Sequence, residues 1–124
     1  MEDSTSKLTL QLDLARSRIR VHRKTLAALG KPEYVILLVN PEEKTLGLVK
    51  SPNAPGANRI RYGNGKQCQE FYSTSLARQF RRVMPEWING GKYLLTGDLM
   101  ADGTALFPME AAIHTATGKP KYHD

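Results

Sequence analysis

The chain has 124 residues, 40% of them hydrophobic and 24% charged, with a formal net charge of +6 and a pI near 9.6. That length makes a single domain, 1–124, able to bury very roughly two-thirds of its extended surface, and the balance of apolar to charged residues excludes wholesale disorder. The single cysteine, Cys68, excludes an intramolecular disulfide and fits a reducing, cytoplasmic setting; no apolar run approaches the ~18 residues of a membrane span, so membrane insertion is not expected.

Met1 to Ser6 is polar and reads as a frayed end. Leucines at 8, 10, 12 and 14 then alternate with Thr9, Gln11 and Asp13, which predicts a strand, although Leu8, Leu12, Ala15 and Ile19 also match a helical period. A second strand around Arg18 to Val21 places Ser17, Ile19 and Val21 on one face and Arg16, Arg18, Arg20 and His22 on the other. The apolar parity switches from even to odd between the two runs, so Ala15 to Ser17 must form a bulge or a break. Thr25 is positioned to cap a short helical turn over Leu26 to Leu29, which Gly30 and Pro32 stop. Tyr34 to Val39 and Thr45 to Val49 are rich in strand formers around the turn residues Asn40 to Lys44, predicting a hairpin. Residues 8–50 therefore read as one strand, helix and hairpin unit.

Residues 51–66 contain Pro52, Pro55, Gly56, Gly63 and Gly65 and predict a loop, long enough within a compact domain to be functional or disordered. Arg59, Arg61 and Lys66 lie in it around Tyr62, with no acid between them. A second unit follows over 67–113. It comprises a strand over Gln67 to Tyr72, a helix over Leu76 to Met84 capped by Ser73 or Ser75 and ended by Pro85, a turn carrying Trp87 as a core plug, and a hairpin of Tyr93 to Leu99 with Thr104 to Phe107. Met109 to Ile113 either extends the last strand or makes a helical turn, and residues 114–124 read as a loose C-terminal tail. Strand, helix and hairpin thus occur twice in the same order. A unit this small cannot bury its apolar faces alone, so the expected fold is α+β and β-rich, two units packed as a pseudo-symmetric barrel, or one unit paired with a second chain.

Excess positive charge directs attention to acidic partners, nucleic acid first, with simple solubility as the plainer use of the same charge. Arg16 to Lys24 holds five cations, Arg59 to Lys66 three and Arg78 to Arg82 three, with no acid inside any of these segments. Arg78 and Arg82 are like charges one helical turn apart, a pairing that costs an isolated helix about a few tenths of a kcal/mol and makes sense beside an anion. The arginine fork suits phosphate oxygens and guanine edges. The candidate DNA contacts are therefore Arg18, Arg20, Arg23, Lys24, Arg59, Arg61, Arg78 and Arg82, if the segments converge; solvated faces on opposite sides are the even alternative. Catalysis finds no comparable support. His22, His114, His123 and Cys68 lack metal-ligand spacing, Cys68 lacks a base, and no carboxylate pair stands out, so a binding protein without metal or cofactor is expected rather than an enzyme. Gly63-Asn64-Gly65-Lys66 has the glycines of a phosphate loop but neither its Ser or Thr nor its strand-to-helix setting.

The first unit resembles the swapped-hairpin DNA binders of the AbrB and MazE type, which combine a strand bearing a basic residue, a short helix ending in Leu-Gly and a hairpin with an acidic turn. Arg18-Ile19-Arg20-Val21, Leu26 to Gly30, and Tyr34 to Leu48 around Glu43 follow that outline over about a third of the chain. His22 and Arg23 stand where the family has a proline, and Pro32-Glu33 where it has Gly-Asp. The resemblance implies a barrel made of two interleaved units, a transcriptional regulator or antitoxin of a bacterium or phage, and DNA contacts from Arg18, Arg20 and Arg23; the regulator is expected to be a homodimer. The residues also allow a different class, a phage or mobile-element inhibitor that covers an acidic protein surface with Tyr62, Tyr72 and Trp87 as anchors.

Overall fold

In the computed structural model, which describes residues 8–63 and 65–117, the two alternating runs at the start meet as a hairpin. β1 (Leu8–Asp13) and β2 (Arg18–His22) pair with Leu10 opposite Val21 and Leu12 opposite Ile19. This register sets even positions of β1 against odd positions of β2, so the change of apolar parity is the break made by the turn at 14–17, where Ser17 takes a φ of 51°. α1 (Arg23–Ala28) begins at Arg23 rather than Leu26 because its cap is His22, whose Nδ1 accepts the Lys24 N–H at 3.1 Å. Thr25 is not the cap. Its buried hydroxyl donates to the Thr9 carbonyl at 3.0 Å and accepts the Thr9 N–H at 3.2 Å, which ties the helix to β1.

β3 (Tyr34–Asn40) and β4 (Thr45–Ser51) pair along their whole length, and Asn40 Oδ1 accepts the Glu42 and Glu43 N–H groups to hold the turn. β5 (Asn58–Arg59) adds a short strand to β3 inside the stretch read as loop. β6 (Cys68–Tyr72) pairs with β2, and α2 (Thr74–Val83) follows, capped by Ser73, whose Oγ accepts the Leu76 N–H at 3.1 Å.

β7 (Gly91–Leu99) and β8 (Ala105–Pro108) form the expected hairpin only at its tip, pairing Asp98 with Leu106 and Leu99 with Ala105; from Lys92 to Gly97, β7 pairs with β1. Gly97 marks the change of partner. A Cβ there would meet the Leu106 carbonyl oxygen and lie 2.7 Å from the Phe107 ring, so the close crossing of β8 depends on the missing side chain. A 3-10 turn at Met109–Ala111 leads into β9 (Ile113–Thr117), which pairs with β7 and makes a strand of the start of the expected tail. The frayed-end reading of residues 1–6 and the remainder of the tail, 118–124, fall outside the described residues.

Among the described residues the strands run β5-β3-β4-β8-β7-β1-β2-β6, with β9 also on β7, and every neighbouring pair is antiparallel. The result is a small β-rich domain with two helices, its sheet curled into a nearly closed barrel. The inward faces supply Leu10, Leu12, Ile19, Val21, Val35, Leu48, Leu95 and Phe107, and the helices add Leu26 and Phe80 to the same core. Between the end strands the connection is a side chain. Gln69 of β6 donates Nε2–H to the Arg61 carbonyl at 2.8 Å and accepts the Arg61 N–H at 3.1 Å, reproducing a pair of ladder bonds just beyond β5. No helix among the described residues is long and apolar enough to cross a membrane.

Candidate nucleic-acid interface

Strand alternation brings Arg18 and Arg20 to the outer face of β2, but neighbouring strands supply acids that the linear order hides. Asp13 of β1 stands opposite Arg18, and Glu70 of β6 stands opposite Arg20. Asp13 Oδ2 accepts from Arg18 Nη2 and Arg16 Nη1, each at 3.1 Å; Glu70 Oε2 accepts from Arg20 Nε at 2.8 Å and lies 3.9 Å from Arg18 Nη1. Tyr72 adds its O–H to Glu70 at 3.2 Å. The Arg20 hydrogen bond holds the Glu70 carboxyl below its ordinary range, and the same bond raises Arg20. Asp13 is only 5% exposed, and its Oδ1 and Arg18 Nε are buried with no hydrogen-bond partner. A cleft of about 230 Å3 runs along this face, lined by Gln11, Asp13, Arg18, Arg20, Lys92 and Thr115 among others. An anion entering it has to compete with carboxylates already in contact.

A second cleft, of about 450 Å3, lies between α1 and the segment around Tyr62. Arg23 from the start of α1, Lys31 from just past its end, Arg61 and Lys66 line it, and no acid is among the described lining residues. Arg23, Lys31 and Arg61 form no ion pair with any described residue. The walls are fixed by the backbone. Buried Ile60 donates its N–H to the Glu33 carbonyl at 2.8 Å, Tyr62 donates its O–H to the Pro32 carbonyl at 2.7 Å, and Gln69 clasps the Arg61 peptide. Burial pushes the Tyr62 phenol up, so it remains a neutral donor. After α1 the chain reverses through Gly30 at φ 89° and Lys31 at φ 51°. Glycine adopts that conformation freely, whereas a lysine there costs about 1 kcal/mol. The reversal sets Lys31 Nζ 5.4 Å from the Tyr62 ring centroid, within cation–π range.

Of the residues singled out from sequence, Arg23 and Arg61 meet in this cleft. Lys24 and Arg59 are exposed but do not line it, and neither do Arg78 and Arg82, which are exposed on α2. The two helices begin at opposite ends of β2: the Ser73 N–H donates to the Ser17 carbonyl, and the Arg23 N–H to the Gln67 carbonyl. Five residues of strand, about 16 Å, separate those points. Arg81, also exposed on α2, donates Nη2–H to the Leu14 carbonyl at 3.0 Å. Sequence reasoning left Lys31 and Lys66 off the list. Lys66 stood among the loop cations, while Lys31 sits between Gly30 and Pro32, where the residues signalled only the end of a helix. Trp87 is half-buried and stacks on Tyr93 with centroids 4.4 Å apart, whereas Tyr72 is 63% exposed. Cys68 is half-buried opposite His22, and among the described residues no three His, Cys, Asp or Glu side chains gather as metal ligands. Comparison with known protein families, with curated proteins and with solved structures finds no match to this chain.

Proposed function

We propose that the protein is a small DNA-binding regulator, of the transcriptional or antitoxin kind, that holds phosphates in the cleft of Arg23, Lys31, Arg61 and Lys66. The observation that carries this reading is the meeting of four cations around one concavity with no acid among its described lining residues. A phosphate near Arg23, Lys31 and Arg61 displaces no ion pair of theirs with a described residue, whereas at Arg18 and Arg20 it competes with Asp13 and Glu70. Lys24 and Arg59, close in sequence to Arg23 and Arg61, extend the basic surface for a longer strand of DNA.

The architecture we read behind this surface is the swapped-hairpin one, with residues 8–50 and 67–113 as its two units. Antiparallel pairing of β2 with β6 and of β4 with β8 supports it, because a two-fold relation between units pairs equivalent strands in that way. Each helix also directly follows the strand that pairs with its counterpart. With both units in one chain, the barrel needs no second copy.

The test is fluorescence anisotropy with a labelled duplex at low and then physiological salt. The expected result is micromolar affinity at low salt that falls with a log-log slope of roughly −3 to −4 for four neutralised phosphates. Changing Arg23 and Arg61 together to Ala should flatten that slope by about 2. Absence of binding at low salt overturns the proposal and favours an acidic protein partner, for which the exposure of Tyr72 is the specific observation.

A further inference from the structure

The basic cleft is not basic throughout. Its lining includes exposed Ala27 from α1 and the ring of Tyr62, alongside the cations. Aliphatic and aromatic surface does nothing for a phosphate, which prefers water to it, but it matches the flat face of a nucleobase. At about 450 Å3 the cleft lies in the size range of small-ligand pockets and suits a single nucleotide. In a duplex the faces of the bases are covered by their neighbours and only edges show in the grooves. A stacking ring in a concavity can therefore engage only a base that has left the stack.

We infer that the cleft receives one unstacked nucleotide of a single strand, with its base on the Tyr62 ring and against Ala27, and its flanking phosphates on Arg23, Arg61 and Lys66. This rests on the DNA-binding reading and narrows it. The ring is held ready, because the Tyr62 O–H is anchored on the Pro32 carbonyl. Beside it, Gly63 and Gly65 both lie in the left-handed region with open space where a Cβ would stand. Lys31 lies over the ring at cation–π distance, and the incoming base replaces that contact while Lys31 turns to a phosphate.

The experiment compares three probes by anisotropy: a labelled oligo-deoxythymidine of about 12 nucleotides, the same strand annealed to oligo-deoxyadenosine, and thymidine monophosphate as unlabelled competitor. The single strand should bind roughly ten-fold more tightly than the duplex. Tyr62→Ala should weaken the single strand roughly ten-fold and the duplex by a clearly smaller factor, whereas Tyr62→Phe, which keeps the ring and loses only the bond to Pro32, should retain most of the affinity. A urea midpoint and circular dichroism spectrum close to those of wild type report that Tyr62→Ala is folded. A duplex bound as tightly as the single strand, with Tyr62→Ala indistinguishable from wild type, overturns the inference and leaves DNA binding standing. Displacement of the oligonucleotide by an equal concentration of thymidine monophosphate overturns it in favour of a free-nucleotide site. Failure of single strand and duplex alike at low salt overturns both readings together.

Discussion

In an Arg18→Ala variant the Asp13 carboxylate keeps only its contact with Arg16, whose side chain is 58% exposed and contributes little. The carboxylate itself stays buried, since Asp13 is 5% exposed and its Oδ1 has no partner even with Arg18 present. A hydrogen bond to a charged group is worth about 1.5–3 kcal/mol net, and Arg18 is largely enclosed at 18% side-chain exposure, so the loss should be about 2 kcal/mol. For a chain of 124 residues, whose unfolding entropy scales with length, that corresponds to a fall in Tm of about 8 °C. Urea denaturation should show a lower midpoint with an unchanged m-value. DNA affinity, measured on the same preparation at a temperature where the variant is folded, should be close to wild type, because Arg18 is committed to Asp13. A variant of native stability that has lost DNA affinity would refute the assignment of Arg18 to the scaffold and return the outer face of β2 to the binding surface.

Two further outcomes concern the scaffold. Gly97→Ala puts a methyl group against the Leu106 carbonyl and the Phe107 ring where β8 crosses β7, and should destabilise the fold by at least about 2 kcal/mol in chemical denaturation. The Arg20 hydrogen bond lowers the folded-state pKa of Glu70, so its contribution to stability is present above the ordinary glutamate value of 4.5 and is lost as the pH falls through the lowered folded value. The difference in urea midpoint between wild type and Glu70→Gln should therefore be constant near neutrality and shrink on acidification below that value; a difference that grows in acid would contradict the ion pair.

What could be read along the chain was what depends on neighbours in sequence. Alternating leucines marked β1, Ser73 marked the start of α2, and Asn40 to Lys44 marked a turn, because side-chain period and capping act over a few residues. What escaped depends on register. Segments free of acid looked like phosphate surfaces, yet hairpin and sheet pairing set Asp13 against Arg18 and Glu70 against Arg20. Thr25 has the chemistry of a cap, but tertiary packing turned its hydroxyl to Thr9. The basic cleft was half legible: Arg23 and Arg61 were candidates, while Lys31 reaches it only through a left-handed reversal after α1 that no local signal required of a lysine. β5 is too short to show a period, and it exists because Glu33, Val35 and Tyr34 offer it partners.

The Gln69 clasp gives the barrel a fastening unlike the rest of its circumference. β3 and β4 are joined by seven paired residues, which separate only as a cooperative unit, whereas the seam between Arg61 and β6 is held by two bonds from one side chain and releases with a change of rotamer. Breathing of the barrel should therefore start at that seam. The Arg61 amide should exchange its hydrogen ahead of the amides of β4, and because Gln69 and Arg61 both line the basic cleft, each such opening changes the width of the cleft without unzipping a strand.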